Sequence, residues 1–236
     1  MLNLAYNENG LQTGQLSLKK DQLLNTLRAK PSTVSIVAAF SKDRDAVENF
    51  ITDIYARSYG AHIHVHYPIL MSVRDEHGQI LAATGFRSAV NETLFLEQYL
   101  DAPVEQTLDS QRAQIVEIGN LASDGGGASL YLFAALAAYL NYQGFTQAVA
   151  TSTDFLERRF RQMGLQPKRH AKADPSLLLC DGENWGTYYD AQPHVISGSV
   201  KHGYKRLQKQ LGAHYTDYRA RLFPRLHYKG GQNEGI

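Results

Sequence analysis

The segment Ser123-Asp124-Gly125-Gly126-Gly127-Ala128-Ser129 constrains this chain more than any other. The run before it, residues 114–122 (QIVEIGNLA), predicts a strand. The run after it, residues 129–142, predicts an apolar helix closed by Gly144. The three glycines admit only a loop between them, one whose backbone can come close to a ligand and take dihedrals closed to other residues. Amides at the start of the helix would point outward beside the positive end of its dipole, where a pyrophosphate fits. The loop is neither a Walker loop, since no Gly-Lys-Ser/Thr follows, nor a G-x-G-x-x-G turn. The bland alternative is a plain connector from strand to helix.

The rest of the chain is read around this loop. Residues 33–39 (TVSIVAA) predict a buried strand, and residues 41–58 a helix capped by Ser41 and stopped at Gly60. Residues 69–75 and 79–88 predict two strands joined by a short turn. Residues 94–100 fit strand or helix, and 103–108 fit a helical turn. A strand is predicted at 147–151 and a helix at 155–163, closed by Gly164. The first 30 residues are polar and weakly patterned, with a short helix expected at 16–27 before Pro31. The pattern dissolves after about Pro167. Strand, helix, three strands, glycine loop, helix, strand and helix make an α/β fold with a mixed sheet.

Composition excludes whole classes. With 43% hydrophobic and 20% charged residues the chain has enough apolar surface to fold. The single cysteine, Cys180, excludes an intrachain disulfide and a multi-cysteine metal cluster. A net charge of +1 gives no reason to expect nucleic acid. The most apolar stretch, 130–140, is about half of the ~20 residues that a spanning helix needs. The first residues show no secretory signal pattern, so the expected compartment is the cytoplasm and the sequon at Asn91 a coincidence.

Residues 123–128 also match a looser pattern: a polar residue, two others, Gly126, one residue, then Ala128. It resembles the loop that holds the coenzyme A pyrophosphate in acetyltransferases of the GNAT superfamily, with Ser123 where Arg or Gln is usual. Residues 33–165 resemble that superfamily's core, ending in Arg161-Gln162-Met163-Gly164-Leu165. Gly85-Phe86-Arg87 and Glu117-Ile118-Gly119-Asn120 are similar to the Gly-x-Arg and Glu-x-x-Arg of acyl-homoserine-lactone synthases, with Asn120 in place of the arginine. FLEQYLDAPVEQ (95–106), IVEIGNLAS (115–123) and WGTYYD (185–190) resemble the thermostable hemolysin family over roughly 47–199. These resemblances imply a GNAT-like mixed central sheet flanked by helices, with a C-terminal helical or irregular extension. They divide the chain into a polar segment at 1–30, an acyltransferase domain at 31–195 and a basic extension at 196–236.

The implied chemistry is acyl transfer from acyl-CoA or acyl-carrier protein, as donor substrate rather than permanent cofactor, to a small amine or hydroxyl acceptor, without a metal. Two alternatives stand beside it: a membrane-active lysin, and a GNAT-fold module that binds ligand without catalysis. Glu117, flanked by Ile115, Val116 and Ile118, is the first candidate general base; burial would raise its pKa toward a useful range. The competing role is a salt bridge to Arg87. Glu97 is the second candidate base, its competing place being the surface. Tyr188 and Tyr189 are candidate proton donors to the departing thiolate, or else packing tyrosines. Arg87, Asn120, Gln98 and Tyr99 are candidates for contacting the acceptor. Strict alternation puts Glu117 and Gly119 on one face and Asn120 on the other, unless a bulge intervenes.

His62, His64 and His66 alternate, which fits a solvated strand face better than a metal site. The basic C-terminal segment carries Lys201, Lys205, Arg206, Lys209, Arg219, Arg221, Arg225 and Lys229 against Asp217 and Glu234. It suits an acidic carrier protein or an anionic membrane surface, or is a solvated helix and tail. Oligomeric state has no signature in the sequence.

Overall fold

A computed structural model describes residues 1–19, 30–90, 92–178 and 182–219. The expectations for Asn91, Cys180 and residues 220–236, with Arg221, Arg225, Lys229 and Glu234, lie outside these. The fold is α/β, as read from the sequence: one ten-stranded mixed sheet with helices on both faces.

The first two strands are β1 (Leu2–Glu8) and β2 (Leu11–Leu18), an antiparallel hairpin turning on Asn9 and Gly10, both at positive φ. Leu2, Leu4 and Tyr6 are buried on one face. The helix expected at 16–27 is therefore corrected over 16–18, which pair as strand; residues 20–29 lie outside the described ones. Next come β3 (Pro31–Ala38), parallel to β1, and α1 (Arg44–Tyr59). Gly60 ends α1 at φ 62°, as expected, but Asp43 rather than Ser41 occupies the N-cap position, without a side-chain bond.

Strands β4 (Ile69–Asp75) and β5 (Ile80–Ser88) follow antiparallel. The ambiguous run 94–100 is a 3₁₀ helix, Phe95–Tyr99, followed by α2 (Val104–Leu108). Then come β6 (Ile115–Ser123), α3 (Ala128–Tyr142), β7 (Gln147–Ser152) and α4 (Asp154–Gln162). The chain continues through β8 (Lys168–Lys172), β9 (His194–Ser199), α5 (Val200–Leu211) and β10 (His214–Asp217). Sheet order is β10-β2-β1-β3-β4-β5-β6-β7-β9-β8, with only β1/β3 and β6/β7 parallel among these pairs.

Helix α3 is apolar around most of its circumference because α5 covers what the sheet does not. Its residues Leu132, Ala135 and Leu140 pack with Tyr6, Leu16 and Met71 of the sheet and with Leu207 and Leu211 of α5. Helix α1 covers the other face, burying Val47, Ile51 and Tyr55 with Tyr67, Ala83 and Tyr188. The basic segment is thus built into the body up to Asp217: α5 contributes to the core, and β10 pairs with β2. The sheet draws strands from all three segments of the expected division. Among the described residues no helix is long and apolar enough to cross a membrane.

Candidate active site

The site forms where the sheet stops being regular. Parallel pairing of β6 with β7 runs from Ile115↔Gln147 to Ile118↔Ala150 and ends there, although both strands continue. One residue later β6 bulges. Ala122 pairs with Ala83 and Gly119 with Gly85, so Asn120 and Leu121 together face Thr84, and Asn120 takes φ 49°. The simple alternation expected along this strand breaks at that point. The two strands diverge into a cavity of about 820 Å³ whose wall includes Ile118, Asn120, Ala150 and Thr151.

The glycine loop closes one end of this cavity. Gly125, Gly126 and Gly127 take φ of 88°, 61° and 85°, three successive left-handed residues that side chains disfavour. Gly127 is the N-cap of α3. The Ser123 hydroxyl accepts from Gly125 N–H at 3.3 Å, and Ala128 N–H donates to Gly125 O at 3.3 Å. The N–H groups of Gly126 and Gly127 have no protein acceptor among the described residues. Ser123, the three glycines and Ser129 line the cavity. Asp124 does not: its N–H donates to Leu81 O, and its exposed carboxylate lies 3.6 Å from Arg57.

Tyr67 lies flat across the strands. A Cβ on Gly85 would sit 2.5 Å from its Cβ and Cγ, and one on Gly119 2.0 Å from its hydroxyl. This close approach is why both β5 and β6 carry glycine there. The Arg87 guanidinium lies 4.6 Å from the Tyr67 ring centre, on the cavity wall.

Glu117 pairs across the strands with Arg87 and is 1% exposed. Its Oε1 accepts from Leu96 N–H at 2.9 Å and its Oε2 from Phe95 N–H at 3.2 Å. Arg87 Nε lies 3.0 Å from Oε2, off the angle of a hydrogen bond. Burial pushes the Glu117 pKa up to about 7, against the pull of Arg87 and the two amides. The salt bridge weighed from the sequence is present, and the carboxylate is not part of the cavity wall.

Glu97 is held in a capping network. It accepts from Leu94 N–H at 2.6 Å and Val104 N–H at 2.9 Å, and Arg112 grips both of its oxygens. Burial works to raise its pKa, but Arg112 and the two amides outweigh burial and keep the carboxyl below its ordinary value. Its side chain is 8% exposed, so the surface placement is corrected too; these contacts, not the cavity, take up its oxygens.

Gln98 donates to Phe95 O at 2.7 Å, and the Tyr99 hydroxyl meets that of Tyr189 at 2.5 Å; neither Gln98 nor Tyr99 lines the cavity. Tyr188 does line it. Buried between Tyr55 and Tyr59, it donates to Thr151 O at 3.4 Å on the splayed end of β7. Burial raises its pKa well above the ordinary value and keeps the hydroxyl protonated.

The sequence reading misses one group. His62, His64 and His66 lie in an extended segment, outside any regular strand, that touches residues 183–184. His64 N–H donates to Glu183 Oε1 at 2.8 Å, and His66 Nε2 lies 3.1 Å from the same oxygen. His64, His66 and Glu183 all line the cavity, and His62 does not. The alternating histidines are a visible signal, but their carboxylate partner stands 117 positions from His66.

A mixed sheet with two splayed parallel strands and a glycine loop leading into the helix between them is the GNAT-like acyltransferase fold. Solved structures agree at the level of fold. TofI in an apo form superposes with a TM-score of 0.56 at 13% identity, covering 74% of this chain and 95% of that one. FeeM, an N-acyl amino acid synthase from uncultured soil microbes, gives 0.53 at 12%, covering 76% and 97%. BjaI, a CoA-dependent acyl-homoserine lactone synthase solved with SAM and isopentyl-CoA, gives 0.51 at 12%, covering 76% and 89%. Within this fold the family model for thermostable hemolysins matches residues 37–204, more than half of the chain, and the protein belongs to that family. No curated protein matches it in sequence.

Proposed function

We propose that the protein transfers an acyl group from a thioester donor, acyl-CoA or acyl-carrier protein, to an amine or hydroxyl acceptor. The observation that carries this reading is the gap beyond Ile118 and Ala150, which opens into the same cavity as the free amides of Gly126 and Gly127. Pyrophosphate would sit on the loop and the start of α3, and the pantetheine arm in the gap. Peptide N–H groups of β6 left without a β7 partner would stabilise the developing oxyanion. Tyr188, protonated and beside Thr151, would return a proton to the departing thiolate. Glu117 acts from behind the wall by fixing the Arg87 charge. Exposed Lys201, Lys205 and Lys209 on α5 offer an acidic carrier protein a surface.

Ligand-induced stabilisation tests the reading. CoA at about 100 times its dissociation constant should stabilise the native state by about 2.7 kcal/mol. In a chain of this size that raises Tm by roughly 5–10 °C. Pantetheine without its phosphates should do much less, and Gly126→Val should abolish the shift once its own melting curve shows a folded protein. Mass spectrometry of reactions with an acyl donor should then show an acylated acceptor. Binding without product supports the inactive module; neither binding nor product, with CoA, acyl-CoA and acyl-carrier protein all tried, overturns acyl transfer.

A further inference from the structure

Acyl transfer needs a group that takes the acceptor's proton, and such a group must come within hydrogen-bond reach of it. Glu117 does not meet this condition: its oxygens are taken by two amides and Arg87, and it forms no part of the cavity wall. Glu97 is excluded on the same ground by Arg112, Leu94 and Val104. Among cavity-lining groups the arginines are permanently protonated. The lining tyrosines, Tyr131 among them, are of a residue type protonated near neutral pH, and burial pushes Tyr55, Tyr59, Tyr67, Tyr188 and Tyr189 further toward that form. What remains is the cluster of His64, His66 and Glu183.

We propose that His66, oriented by Glu183, is the general base of this site. The proposal rests on the acyl-transfer reading and names the residue that does its proton chemistry. Glu183 is 7% exposed at its side chain and anchored by the backbone N–H of His64, so it is a fixed acceptor. With His66 Nε2–H donating to Glu183 Oε1, the ring is held in one tautomer and Nδ1 carries the free lone pair. A nucleophile's base oriented by a third group is the recurring logic of such sites. Among the described residues no carboxylate holds the ring of His64 in this way. Position agrees: His66 precedes Tyr67, whose ring lies over Gly85 and Gly119 where the strands begin to diverge.

The step balances as follows. The acceptor nitrogen or oxygen forms a bond to the thioester carbon while His66 Nδ1 takes the acceptor proton. The carbon–sulfur bond then breaks, and its electron pair leaves with sulfur as thiolate. The thiolate takes a proton from Tyr188, which recovers one from solvent, and His66 returns its proton to solvent. No oxidant, metal or further reactant enters.

His66 is 52% exposed at its side chain, so its replacement should leave the fold intact. His66→Ala is expected to lower kcat by about 10²–10⁴-fold. It should leave the donor KM and the CoA-induced Tm shift unchanged, and free imidazole should restore part of the rate. Glu183→Gln should lower kcat less, without rescue by imidazole, and the double variant should be no slower than His66→Ala alone. His62→Ala, on the same segment but off the cavity, should behave as wild type. If His66→Ala melts early, His66→Gln takes its place. Turnover unchanged in the folded His66 variants overturns the dyad and leaves acyl transfer standing. A wild type with neither acyl product nor a CoA shift overturns both.

Discussion

Glu117 and Glu183 each sit beside a cationic or titratable partner within one residue or ring of Tyr67, yet they are built for different ends. Glu117 is sealed between strands, with Arg87 against it and two amides upon it. Glu183 is held by one amide, that of His64, and its partner His66 lines the cavity. Burial gives Glu117 a pKa near 7, the value a base would want, in a place no acceptor can reach. A perturbed titration marks a candidate site only when the same group has access to substrate. Under the proposed mechanism the first carboxylate is structural and the second orients the base.

The contrast breaks most visibly through Glu117. Glu117→Ala leaves two amides without their acceptor and the buried Arg87 with only the exposed Glu92 as counter-charge, a class of change that costs about 3–5 kcal/mol. In a chain of this size Tm should fall by roughly 6–20 °C in a thermal melt. A variant that melts as wild type but loses turnover would instead make Glu117 catalytic. Gly85→Ala comes next, because its Cβ meets the fixed root of the Tyr67 side chain; overpacking of this kind costs about 1–3 kcal/mol. Gly119→Ala meets the free end of the ring, the hydroxyl at 2.0 Å with Cζ and Cε2 at 2.5 and 2.7 Å, so it should cost less, and Tyr67→Phe should relieve it only in part. Equal costs in denaturant titrations would mean that Tyr67 moves as a whole.

Stability against pH sharpens the same comparison. The folded Glu117 carboxyl has a pKa of about 7 against an ordinary 4.5, so between those values the native state binds more protons than the unfolded chain. Its stabilising contribution is full below about 4.5 and is lost as pH rises through about 7. The Tm of wild type minus that of Glu117→Gln should therefore fall across this window. A rise would show that Arg87 outweighs burial. The smallest effect expected is that of Tyr99→Phe, which removes one hydrogen bond to Tyr189 for about 1 kcal/mol and leaves the acceptor KM unchanged.

What could be read from the chain alone follows from the range of each interaction. Strands β4 and β5, helix α3 and the loop before it are local patterns, and they stand where the residues predict them. The β1–β2 hairpin carries a local signal too, Asn9-Gly10 between Leu2, Leu4, Tyr6 and Leu16, Leu18. The polar residues between those leucines hide it from composition. The glycines under Tyr67 answer to a ring brought in from outside both strands, and the bulge at Asn120 shows only in the register against β5. The His66–Glu183 pair joins two irregular segments far apart in the chain. Neither has a period to detect.

The pairing of β10 with β2 has a consequence in time. Ser17 meets His214, about 200 residues later in the chain. At a synthesis rate of about 5–20 residues per second, the outer edge of β2 waits roughly 10–40 s for its partner to leave the ribosome. During that interval a freshly made hairpin offers its open edge to any other strand nearby. Slowing translation near the 3′ end of the message should therefore lower the yield of soluble protein, without changing a single residue of the product.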